Sequence, residues 1–250
     1  MTTYLKSELF RITKIKLFYF LALATVLTTL CIGFFFKSIA QLQDFTMYGN
    51  HYLYACLMLL LVGFYLIYPF LITGHISKSQ PLNYQIISND ILPKNIFLTD
   101  ILLSSLVAFT YLIIFYLSSS IFARIFFQMN NQLTQETAYI TELNYLQMMG
   151  VILLLIFTSI SLLYGLQSIT QNKIAATGIF IFISYIIPLI IAQLRMVSPF
   201  FNLIGNFLPL IQAFTFYRGE SNILSFLLVN LVWILLTTLI FNKKFVQQFI

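Results

Sequence analysis

Apolar residues in this chain gather into six blocks that contain no Asp, Glu, Lys or Arg: Leu17–Phe36, Tyr52–Ile72, Ile101–Ala123, Tyr145–Leu166, Ile174–Leu194 and Ile223–Phe241. Each is 19 to 23 residues long. A helix rises about 1.5 Å per residue and a bilayer core is about 30 Å thick, so each block is long enough to cross as a helix. The pattern predicts an all-α polytopic membrane protein. It has six transmembrane helices and forms a single transmembrane domain over residues 1–250.

The segments between the blocks carry their own patterns. In residues 1–16, Leu5, Leu9, Ile12 and Ile15 fall near helical spacing, with Lys6, Arg11 and Lys14 off that stripe. This predicts an interfacial helix lying in the headgroup plane, the alternative being a frayed tail. Between the second and third blocks, Thr73–Asp100, Pro81 can open a helix at its first turn. Leu82, Ile86 and Ile87 then recur on one side with Tyr84 and Gln85 between them. Ser88-Asn89-Asp90 breaks the run, and Pro93 stops it, with Lys94 next. A two-turn helix over Leu82–Ser88 cannot hold itself together in water, so it needs a surface to rest on. The stretch Met196–Tyr217 is apolar but is cut by Pro199, Gly205-Asn206 and Pro209. It predicts two short helices dipping into the outer leaflet and returning; the alternative is a seventh span.

Within the blocks, Pro188 should kink the fifth span by freeing the carbonyl of Ser184, and Pro69 should act likewise in the second. Ser161 and Gly165 in the fourth span, and Ser104 and Ala108 in the third, are small-xxx-small pairs that permit close helix contact. Tyr185 and Asn230 are the most central polar groups. For Asn230 a helix–helix hydrogen bond is favoured over a substrate contact.

Composition narrows the picture further. The chain is 60% hydrophobic and 8% charged, against roughly 25% charged in soluble domains. A soluble globular fold is therefore excluded. The first block is longer than a usual signal-peptide core and is followed by Phe34-Phe35-Phe36-Lys37 rather than a small-residue cleavage site, so it reads as a retained span. Cys31 and Cys56 both fall inside spans, where thiols behave as small apolar residues.

Charge sets the orientation. Six spans put both ends on one side. That side collects Lys6, Arg11, Lys14, Lys16, Lys78, Lys94, Lys173, Lys243 and Lys244, leaving Lys37, Arg124, Arg195 and Arg218 on the other. By the positive-inside rule both termini are cytoplasmic. The chain's +6 net charge then lies wholly on the cytoplasmic face, opposite anionic headgroups rather than nucleic acid.

No span carries an ionisable Asp, Glu, Lys or Arg at its centre, where a proton or ion relay would act. The sequence has no HExxH and no GxxxxGK[ST] phosphate loop, so catalysis and ATP hydrolysis have no footing in this chain. No metal site or cofactor is expected. His51 and His75 fall on opposite sides of the membrane in this topology.

This layout resembles a type-2 ABC transporter permease, the six-span kind that pairs with a separate ATPase. Its small size is similar to permeases of lantibiotic immunity, bacitracin resistance and related peptide export. The resemblance rests on the in-plane N-terminal helix, the six spans, the short helix after the second and the broken helices before the sixth. At residue level, Pro81-Leu82-Asn83, Ile91-Leu92-Pro93-Lys94 and Leu208-Pro209-Leu210 stand where the family carries its inner-loop start, its turn and a proline-centred outer segment. The family's inner-loop Gly and Glu are missing, and Asp100 stands where it has a Lys.

The resemblance implies a multi-pass protein of the bacterial plasma membrane. It implies a soluble ABC ATPase as partner, holding the ATP and Mg, and a second six-span permease, identical or paralogous. Leu82, Tyr84, Gln85, Ile86, Ile87, Asp90 and Lys94 would then dock the ATPase. Ser161, Gly165, Tyr185, Pro188 and Asn230 would line helix contacts or the pathway. The substrate would be an amphipathic peptide, such as an antimicrobial peptide or bacteriocin, or a lipid-like molecule. A six-span immunity or assembly factor without transport, and an intramembrane enzyme, are the competing readings. If the chain is not an enzyme, replacing both His51 and His75 by Ala should leave its activity intact, measured as complementation of a strain lacking the gene.

Overall fold

In a computed structural model, residues 2–42, 46–61, 65–76, 86–87, 91–129, 142–218 and 222–247 are described. They are almost wholly helical. In order the helices are α1 (Thr2–Thr13), α2 (Lys16–Leu42), α3 (Gly49–Leu59), α4 (Tyr65–Ile76), α5 (Pro93–Phe126), α6 (Glu142–Thr170), α7 (Lys173–Ile181), α8 (Ile187–Leu194), α9 (Pro199–Gly205), α10 (Pro209–Tyr217) and α11 (Ile223–Gln247). A π-helical turn, Phe182–Ile186, joins α7 to α8. No strand occurs among the described residues, which hold one isolated bridge between Tyr48 and Gln128.

Five helical segments are long and apolar enough to cross a membrane: α2, α5, Asn144–Thr170 of α6, the continuous α7–α8 segment, and α11. A sixth arises if α9 and α10, bent by 101° at their break, are taken as one span. The apolar run Tyr52–Ile72 takes in parts of α3 and α4, and its residues 62–64 lie outside the described residues. An 18-residue apolar stretch of α6 is 61% buried and one of α5 50%, against 17% for α2 and for α11. In lipid the helix is the structure that satisfies its own backbone, so an apolar run this long has few other choices.

The helices overrun the apolar blocks wherever polar residues tolerate helix. α5 starts at Pro93, well before Ile101, because proline's missing N–H costs nothing in a first turn. α6 and α7 are joined by only two residues. Gln171 turns the chain with φ +52°, a left-handed conformation that costs a non-glycine residue something on the order of 1–2 kcal/mol. Asn172 then caps α7, its Oδ1 accepting from the N–H of Ile174 (2.9 Å) and Ala175 (3.3 Å).

Pro188 shapes the fifth span in a definite way. It cannot donate to the carbonyl of Ser184, and the turn before it widens to a π turn in which Ile187 N–H donates to Phe182. The break thus sits on the N-terminal side of the proline, where its ring would crowd the preceding turn.

Contacts divide the chain into two compact units. One comprises Met1–Leu9, Tyr65–Ala108 and Leu154–Ile250; the other comprises Phe10–Phe64 and Phe109–Leu153. In the first, Leu162, Leu163 and Leu166 of α6 pack with Ala176 and Phe180 of α7, and Trp233 and Phe241 of α11 close over them. In the second, Tyr52 is fully buried, its ring stacked on Phe127 at 5.6 Å, and its hydroxyl donates to the Thr29 carbonyl at 2.8 Å.

Gly165 is where α6 and α11 come closest to colliding: a Cβ there would run into the Phe241 ring. Gly165→Ala should therefore destabilise the protein by about 1–3 kcal/mol, the usual range for overpacking. Adding Phe241→Ala should recover part of the loss. Thermal unfolding in detergent, followed by circular dichroism, measures both; an unchanged Tm in the single variant would contradict the contact.

Candidate functional site

The polar groups inside the apolar helices form ordered seams. In the first unit, α6 meets α11 through three levels spaced along the helices. Asn230 is fully buried; its Oδ1 accepts from the Thr158 hydroxyl at 2.8 Å, and its Nδ2 donates to the Phe226 carbonyl at 2.9 Å. One turn along α6 and two along α11, the Ser161 and Thr237 hydroxyls are 2.9 Å apart. Next comes Gly165 against Phe241. Thr158, Ser161 and Gly165 are spaced three and four apart, so they share one helical face. That face lets α11 approach closely, and each buried hydroxyl finds a partner across it or on its own helix.

A second seam surrounds the π turn. The Tyr65 hydroxyl is within hydrogen-bonding reach of Ser159 and Ser184. Ser184 is the buried member of the π turn, while Tyr185 beside it is half-buried. Tyr65, Thr158, Ser159, Ser184 and Pro188 border a void of about 20 Å³, room for a single water. Ser104 on α5 donates to the Tyr164 hydroxyl at 3.0 Å and to its own helix at Asp100. The second unit holds comparable pairs, Thr29 with Ser118 (3.0 Å) and Ser119 with Tyr145 (2.6 Å). Hydroxyls and one amide can fix helices in register. They offer no charge to relay a proton at neutral pH.

Of the residues expected to dock a partner, Ile86 and Ile87 are helical and half-buried. Leu82, Tyr84, Gln85 and Asp90 lie outside the described residues. Lys94 is exposed in the first turn of α5, and Asp100 two turns further along is buried. His51 lies one residue before the second apolar block; its Nδ1 accepts the Tyr48 N–H at 3.3 Å, and burial holds its pKa below the ordinary histidine value. Among the described residues no group of three or more His, Cys, Asp or Glu is placed to hold a metal.

A third arrangement is not apparent from the sequence. The bent pair α9–α10 returns the chain so that Arg195, which follows α8, and Arg218, which follows α10, border the same cavity of about 400 Å³. The only clue in the sequence is their position. The two cations bracket the Pro- and Gly-cut segment, one at each end, and a hairpin of short helices brings such ends together. The pair is anchored to α11, where the Trp233 indole N–H donates to the Phe207 carbonyl at 2.8 Å.

No protein-family model, curated protein or solved structure matches this chain.

The Asn230 seam can be weighed directly. A double-mutant cycle of Thr158→Val and Asn230→Leu should give a coupling of about 0.6–1.7 kcal/mol, the range found for hydrogen bonds between membrane helices. Unfolding in mixed micelles measures it. Strict additivity would mean that the two side chains act separately.

Proposed function

We propose that this chain is the membrane-spanning subunit of an ABC exporter, driven by ATP hydrolysed on a separate subunit. The observation that carries the reading is the helix pair α9–α10, bent by 101° between the last two long apolar segments. A plain bundle of spans has no need of it, and the permeases this layout resembles carry broken helices at that place. The short amphipathic α1 before the first long helix supports the same reading, as do the helical residues Ile86 and Ile87 between α4 and α5.

On this reading both termini face the cytoplasm of a bacterial cell, as the nine-to-four split of Lys and Arg favours. The segment around Ile86 and Ile87 docks in a groove of the ATPase. Closure of two ATPases on ATP moves two such segments, and two permease halves tilt as rigid bodies. One chain of this kind supplies half a pathway. Low burial of α2 and, separately, of α11 suits contact with lipid or with a second permease, identical or paralogous. With only hydroxyls and an amide in its seams, the pathway favours an amphipathic peptide or a lipid over a small ion.

Ile86→Asp places a charge on the proposed docking face and should uncouple ATP hydrolysis from export, leaving membrane insertion intact. The protein is purified with its ATPase from a native membrane, reconstituted, and assayed for hydrolysis and transport. Equal coupling in variant and wild type refutes the docking role. Failure of any ATPase to co-purify, or function surviving inactivation of that ATPase at its phosphate-loop lysine, refutes the exporter and favours an immunity or assembly factor.

A further inference from the structure

The cavity at the return of the bent pair has two kinds of wall. Leu189, Leu210, Ile211 and Phe214 line it with apolar surface, and Arg195 and Arg218 line it with cations. Among the described residues no carboxylate lines it. Its volume, about 400 Å³, falls within the range of small-ligand sites, roughly 300–1,000 Å³.

Arg195 is held rather than loose. Its Nε–H donates to Asn202 Oδ1 at 2.8 Å. Its Cδ lies 3.1 Å from where a Cβ on Gly205 would stand, so glycine makes the space the side chain crosses. A guanidinium has five N–H donors in a planar fork. With Nε–H committed to Asn202, the two Nη groups are left to serve an anion, and a tetrahedral oxyanion suits that fork. A cation following a helix C-terminus gains from the helix dipole, which accounts for a positive residue at each position. It does not account for both facing one cavity with an apolar wall.

The apolar wall continues onto the outside of the protein. Leu189 and Met196 line the cavity and are also among the exposed large hydrophobic residues, as are Val197 and Phe200 beside it. An occupant can therefore enter sideways from the bilayer, with its head at the arginines and its tail along α8.

We propose that this cavity binds an anionic phospholipid, Arg195 and Arg218 clasping its phosphate while Leu189, Ile211 and Phe214 take the first part of an acyl chain. This site stands independently of the exporter reading, since it requires only that the chain be embedded in lipid.

Native mass spectrometry of the purified full chain, titrated with dioleoyl phosphatidylglycerol or dioleoyl phosphatidylcholine, tests it. The wild type should bind one phosphatidylglycerol about tenfold more tightly than phosphatidylcholine, and Arg195→Gln/Arg218→Gln should lose that preference. Lys243→Gln/Lys244→Gln, at the far end of α11, should keep it. Ala192→Trp fills the cavity while keeping both arginines in the chain and should expel the lipid; it decides the matter if the double glutamine variant does not fold. Equal binding of the two lipids by the wild type, or a preference that survives both the glutamine pair and Ala192→Trp, overturns the proposal. So does displacement of the lipid by glycerol 3-phosphate alone, because the site would then be one for a soluble phosphate.

Discussion

Inside hydrocarbon a backbone N–H or C=O has no water to turn to, and that single constraint governs nearly everything in this molecule. It makes helices of the apolar runs. It also determines what happens where the helix cannot close its own ladder. At Pro188 the chain widens into a π turn and surrounds the disturbance with hydroxyls from Tyr65, Ser159 and Ser184. At the break between α9 and α10, Phe207 and Leu208 donate back to Ile204 and Gly205, and the Phe207 carbonyl is taken up by Trp233. Both of these irregularities come with polar partners, Tyr65, Ser159 and Ser184 at the first and Trp233 at the second.

Much of the fold was legible because hydropathy reads a constraint of length. Five of the six apolar blocks lie within single long helical segments. The ends were less legible. Lys94, Asn95, Thr99 and Asp100 are polar, so they closed the third block at Ile101, although all four continue the helix back to Pro93. Hydropathy measures preference for lipid, and a helix does not have to end where that preference does.

The candidate sites divide along the same line. A lone amide in an apolar helix signals a buried hydrogen bond, so Asn230 could be singled out from the sequence, but its partner Thr158 could not. Thr158 is one of many hydroxyls in these helices, and only the relative rotation of α6 and α11 selects it. Arg195 and Arg218 are 23 positions apart, and each taken alone is an ordinary flanking cation. Their common cavity exists because of a 101° bend, and the amplitude of a bend is a property of packing that no residue spells out.

Trp233 is the only tryptophan in the chain, and its indole is tied to the carbonyl at the elbow between α9 and α10. The molecule therefore carries a built-in fluorophore at that joint. Any displacement of that elbow from α11 would free the indole N–H and alter its emission, so the position of the elbow can be followed in the unlabelled protein.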